Sequence, residues 1–206
     1  SRAFQMMVDI GEIDVMAILA DATNTIAEGE VLQLANIGNT ATTEAEYREI
    51  IRCKTALLFE AACHSAAQLA QANPDITHRM QAFGLHFGTT YQLVDDWLDY
   101  VGDSETLGKN VGDDLAEGKL TLPLIYALEH SDVSGQNVIK QAIKEKNAAY
   151  LADIVEIVRR SGALDYVKLA VEREAALACS CLKNLEQNDY VQALYTLTEY
   201  STSRVC

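Results

Sequence analysis

Proline occupies two of 206 positions, Pro74 and Pro123, and no stretch of useful length alternates apolar with polar residues. Proline breaks helix interiors and a half-buried strand needs period-two alternation, so a chain with so little of either reads as almost wholly helical. The stop and start signals agree. The first segment runs to about Leu34 with a break at Gly11, and Thr43-x-x-Glu46 is a capping box that opens a helix reaching Ala72, where Asn73-Pro74 ends it. Asp75 starts a further helix that continues to Tyr100 and closes at Gly102. Thr121-Leu122-Pro123 restarts helix with proline in its first turn, and helical segments near 134–146, 147–160, 164–187 and 190–203 follow. With no internal repeat and no low-complexity tract, the expectation is one all-α domain, a bundle of packed helices over 1–206.

Charge and cysteine content narrow the partners. Thirty acidic against sixteen basic residues give a net charge of -14, which argues against nucleic acid or an anionic membrane as the main partner. An anionic ligand would have to be recruited by local lysines or metal ions. No apolar run approaches the roughly 20 residues of a membrane span, and SRAFQMMVDIG has no signal-peptide core, so a cytoplasmic protein with no integral membrane segment is expected. The five cysteines are odd in number and widely spaced, and read as small buried hydrophobes in a reducing compartment. The four histidines are scattered, without metal-ligand spacing.

The chemistry concentrates in QLVDDWLDY, residues 92–100. On a helix Asp95 and Asp99 share a face at i and i+4, with Asp96 beside them and Gln92 one turn earlier. Such carboxylates repel one another unless protonated or bridged, and Mg²⁺ suits them as a hard cation that completes its shell with water and phosphate oxygens. A solvated acidic helix end is the other reading of the same residues.

The following stretch, GDSETLGKNVGDDLAEGK at 102–119, is dense in glycine and charge and reads as a long loop. Its Lys109 and Lys119 flank a second acidic pair, Asp113 and Asp114; cations beside carboxylate-held metal make a diphosphate site. Upstream, CKTALLFEA sets Lys54 and Thr55 inside an apolar helix, where the lysine either snorkels to the surface or serves the site.

Together, FQMM, EGEVLQL, KTALLFEAA, QLVDDWLDY and GKNVGDDLAEGK resemble the C-terminal part of the trans-isoprenyl diphosphate synthases, most of all the bacterial octaprenyl type that makes the ubiquinone side chain. The resemblance covers nearly the whole chain. It implies the isoprenoid-synthase helical fold, a homodimer, Mg²⁺, and elongation of an allylic diphosphate such as farnesyl diphosphate by isopentenyl diphosphate. Asp95, Asp96 and Asp99 match the family's second aspartate-rich metal motif, with Asp95 and Asp99 preferred as direct ligands. Lys54 and Lys109 match lysines that contact the allylic diphosphate, and Thr55 and Gln92 match groups whose oxygens face the carbocation. Glu30 is expected as a polar support near the lysines, and Asp113 and Lys119 as an outer layer. Phe59, Phe83, Phe87 and Tyr91 either touch the growing chain or form ordinary core.

The resemblance departs at the start. The family's isopentenyl-binding segment and first aspartate-rich motif have no counterpart here, since the close aspartate pairs are Asp95-Asp96 and Asp113-Asp114. Part of a longer chain, or a fragment of one, is the expectation. A non-catalytic subunit that dimerises with an active synthase is the alternative function.

Overall fold

The structure, a computed structural model, describes residues 2–101 and 112–205. Its helices are α1 (Arg2–Ile10), α2 (Ile13–Asn36), α3 (Glu44–Ile51), a π-helical turn (Arg52–Ala56), α4 (Leu57–Leu69), α5 (Pro74–Val101), α6 (Asp113–Glu117), α7 (Leu122–His130), α8 (Val133–Glu145), a 3-10 turn (Ala148–Tyr150), α9 (Leu151–Arg160), α10 (Ala163–Leu182) and α11 (Asp189–Ser203). There is no strand among the described residues, so the chain is all-α as expected.

Local chemistry sets the boundaries. The Thr43 side chain accepts from Glu46 N while Glu46 answers Thr43 N, the reciprocal box anticipated for α3. Gly11, at φ 74°, separates α1 from α2. Asn188 caps α11 by accepting from Tyr190 N and Val191 N, and α10 stops at Leu182, short of the expected 187, where the Gln187 side chain donates to the Leu182 carbonyl. Other expectations need correction. The span 43–72 is not one regular helix, because the π turn interrupts it at the residues carrying Lys54 and Thr55. Residues 113–117 of the expected loop are helical, while the expected Gly102 closure lies outside the described residues. Of the cysteines, Cys53 is buried, whereas Cys63, Cys179 and Cys181 are half-buried.

Helix α5 is the spine, packed most extensively against α10 on one side and α4 on the other. Its C-terminal half contributes Leu93, Val94 and Tyr100 to a core shared with α7 to α10, and its N-terminal half buries Phe83 and Phe87 against Ala178, Leu182 and Val191. Where α5 meets the π turn the backbones nearly touch. A Cβ at Gly88 would lie 2.6 Å from Ala56 Cα, and one at Gly29 of α2 would lie 2.9 Å from Lys54 N. Glycines on α2 and α5 therefore clamp the π turn from both sides, and this close approach points Thr55 toward α5 and Lys54 toward α2. Among the described residues no helix is long and apolar enough to cross a membrane.

Candidate active site

A cleft of about 440 Å³ opens between α2, α3, the π turn, α5 and α6. It is the size of a small-molecule site. Lys54, Thr55, Gln92, Asp95, Asp96, Asp99, Asp113 and Lys119 line it, so residues up to 65 positions apart in sequence converge as anticipated. Glu30 stands beside the cleft and ion-pairs Lys54 at 3.2 Å. Gln33, one turn further along α2, also accepts from the Lys54 ammonium. Lys109 lies outside the described residues.

One hydrogen-bonded chain runs beneath the cleft. Thr55 Oγ1 donates to Gln92 Oε1 at 2.9 Å, and Gln92 Nε2 donates to Asp96 Oδ1 at 2.7 Å. Tyr47 Oη donates to the other oxygen, Asp96 Oδ2, at 2.5 Å. Asp96 is only 2% exposed, so of the three aspartates lining the cleft it is the most withdrawn, at the floor with both oxygens already bonded to donors. Burial and the nearby Asp114 push the Asp96 carboxyl up from its ordinary range, against the opposing pull of Tyr47 and Gln92.

Asp99 does two things at once. Its carboxylate receives the backbone N–H groups of Asp113 and Asp114 at 3.2 Å each, anchoring the start of α6. Burial, then Asp114, pushes its carboxyl up to about 7, with those N–H bonds opposing. Lys119 reaches back to Glu117 at 2.6 Å and Asp114 at 3.2 Å. Burial works against its ammonium, but the two carboxylates outweigh it and hold the group above its usual range.

The balance of charge in the cleft is negative: Asp95, Asp96, Asp99, Asp113, Asp114 and Glu117 face Lys54, Lys119 and Arg204 among the described lining residues. Among the described residues no three carboxylates, imidazoles or thiolates converge to hold a metal ion unaided. Hard carboxylate oxygens of raised proton affinity suit a divalent cation that takes one or two of them and fills its shell from water and ligand oxygens.

Of the aromatics, Phe83 and Phe87 are stacked core residues, 5.9 Å between centroids. Phe59 bridges them to Tyr91, which is 43% exposed and lines the cleft. Sequence reasoning missed Tyr47 and Gln33, and named Asp114 only as half of an acidic pair. Tyr47 lies seven residues before Lys54, two helical turns, a spacing that would have placed both on one face.

Known proteins resemble this chain over nearly its whole length. The family described as polyprenyl synthetase matches residues 1–160. Octaprenyl diphosphate synthase of Escherichia coli is 41% identical over 205 residues, covering 99% of this chain and 64% of that protein. An all-trans-nonaprenyl-diphosphate synthase of Rhodobacter capsulatus, described as geranyl-diphosphate specific, is 40% identical over 205 residues, covering 100% of this chain and 63% of that protein. Among solved structures, a Caulobacter crescentus polyprenyl synthase complexed with calcium and isoprenyl diphosphate superposes with a TM-score of 0.94 at 39% identity, covering 100% of this chain and 63% of that one. The chain thus spans a little under two thirds of the length of the relatives it matches.

Proposed function

The chain belongs to the polyprenyl synthetase family, and from that premise we propose that it is a prenyltransferase, or the larger part of one, that lengthens an allylic diphosphate with isopentenyl diphosphate. The allylic C–O bond breaks and its electron pair leaves with the diphosphate. The double bond of isopentenyl diphosphate then supplies electrons to the allylic cation, and a proton is lost to restore an alkene. Repetition gives a long all-trans polyprenyl diphosphate. The octaprenyl product, destined for a quinone side chain, is the finest part of the proposal and rests on likeness to the E. coli enzyme.

The charge of the cleft carries this reading. Among the described residues six acidic and three basic side chains line the cleft, a balance that favours a diphosphate accompanied by cations over a bare one. Mg²⁺ held by Asp95 and Asp99 would neutralise the diphosphate and its charge as a leaving group. Lys54, tethered to α2 through Glu30 and Gln33, would present its ammonium to the diphosphate, and Lys109 is assigned the same task. Lys119 holds Asp114 and α6 in place behind them. Thr55 and Gln92 offer oxygens to the cation without competing as nucleophiles, and Tyr91, backed by Phe59, gives the prenyl chain an aromatic wall. A homodimer in the cytoplasm completes the proposal, and the exposed apolar side chains of α1, Phe4, Met6, Val8 and Ile10, are compatible with a covered face.

The test is a product assay with farnesyl diphosphate, labelled isopentenyl diphosphate and Mg²⁺, the products dephosphorylated and sized by chromatography. A ladder ending at one length is expected. Absence of both product and Mg²⁺-dependent binding of farnesyl diphosphate would refute the function.

A further inference from the structure

Threonine hydroxyls in these helices ordinarily turn back on their own backbone. Thr89, Thr90 and Thr198 each donate to the carbonyl four residues earlier, at 2.8–2.9 Å. Thr55 does not. It sits in the π turn, where the backbone hydrogen-bonding register is shifted, and donates across the cleft floor to Gln92. A hydroxyl has one proton, so with that proton directed at Gln92 the Thr55 oxygen has only lone pairs left for the cleft.

The direction of that bond depends on which end of the Gln92 amide faces Thr55. An amide can present either its oxygen or its NH₂, and the neighbouring groups decide. Here Asp96 is that neighbour. One of its oxygens receives the Tyr47 hydroxyl and the other receives the Gln92 NH₂, which leaves the amide oxygen for Thr55. Tyr47, 4% exposed, is fixed in turn by the core against which its ring packs.

We propose that Tyr47 and Asp96 are positioning residues: they lock the Gln92 amide so that Thr55 and Gln92 show the cleft oxygen lone pairs alone, a wall suited to a delocalised allylic cation. This rests on the prenyltransferase reading for its purpose, but not for its geometry. It also gives Asp96 a task distinct from metal binding. With the amide reversed, Gln92 would point N–H groups at Thr55, whose hydroxyl proton would then be free to face the cleft, and the wall would present positive dipoles to a positive carbon.

The experiment compares the parent chain with Tyr47→Phe and Asp96→Asn. Side-chain amide resonances of Gln92, identified by their loss in Gln92→Leu, are followed by hydrogen exchange in ¹⁵N-labelled protein. Asp96→Asn, which weakens the acceptor, and Tyr47→Phe, which frees the Asp96 carboxyl to turn away from Gln92, should each lower exchange protection at Gln92 Nε2 by about tenfold, the weight of about one hydrogen bond. In the product assay Tyr47→Phe should lower kcat by about tenfold while leaving KM for farnesyl diphosphate within twofold, because the diphosphate end of the site is untouched. A Tyr47→Phe protein with parental Gln92 protection and parental kcat, differing only in melting temperature, would overturn the proposal and leave Tyr47 a core residue. If the parent makes no product, the prenyltransferase reading fails, and the Gln92 amide measurement still decides this inference. If Tyr47→Phe does not fold, Asp96→Asn decides it by the same protection factor.

Discussion

Gly88→Ala offers a test in which two physical effects predict opposite signs. Alanine is the better helix former by about 1 kcal/mol, so on propensity alone the change inside the 28-residue α5 should raise stability. The packing says otherwise. The added Cβ would stand 2.6 Å from Ala56 Cα and 2.9 Å from Phe59 Cδ2, whereas carbon atoms rest about 3.5–4.0 Å apart. The Phe59 ring can swing aside, but Ala56 Cα is backbone and belongs to the clamped π turn. Relief therefore requires α5 and the turn to separate by about 1 Å, and overpacking of this kind costs about 1–3 kcal/mol, the upper end applying where backbone meets backbone. Set against the propensity gain, the net loss is about 2 kcal/mol, or about 4–8 °C in Tm for a chain of this size. Because Gln92 lies one turn beyond Gly88, the same separation lengthens the 2.9 Å Thr55–Gln92 bond, and turnover should fall along with stability. Thermal unfolding by circular dichroism reads the sign directly. A rise in Tm of about 2–4 °C would mean that propensity won, and that the close approach does not hold the π turn in place.

Further expectations concern the charged and reactive groups. Asp95→Ala should cut turnover by about a hundredfold or more, the usual effect of losing one group that stabilises transition-state charge, with helicity unchanged; parental kinetics would remove Asp95 from the metal assignment. Lys119→Met takes the ammonium away from Asp114 and Glu117, both within 3.2 Å, and should cost about 1–3 kcal/mol by denaturant unfolding, since the Asp114 carboxylate is mostly shielded from water. The Cys63 thiol is pushed up to about 11 by burial, so the folded state favours its protonated form. That contribution is complete below about pH 9 and is lost as pH rises toward 11; Cys63→Ala should flatten stability over that window, and at pH 8 the parental Cys63 should alkylate more slowly in the fold than in urea.

Much of the architecture was legible because its signals are local. The capping box at Thr43, the break at Gly11 and the scarcity of proline all act within a few residues of the boundaries they set, so the all-α fold follows from sequence. The i, i+4 spacing of Asp95 and Asp99 likewise fixes their common face before any tertiary contact forms. What lay beyond reach was whatever depends on which backbone approaches which. The π turn carries no pattern of its own; it exists where Gly29 and Gly88 let α2 and α5 press on residues 52–56. The short helix α6 forms within a glycine-rich, charged stretch because Asp99, fourteen residues earlier, receives its first free N–H groups. Most telling is Asp96, which the sequence presents as one of three equivalent aspartates. Adjacent residues on a helix point about 100° apart, so the motif alone cannot say which carboxylate meets the cleft and which the core. Composition, caps and spacing thus determined a helical protein with a carboxylate-lined helix face; the packing of α5 against α3 and the π turn decided which aspartate is withdrawn, because Tyr47 from α3 and Gln92 from the preceding turn supply the donors that a fully buried Asp96 needs for both its oxygens.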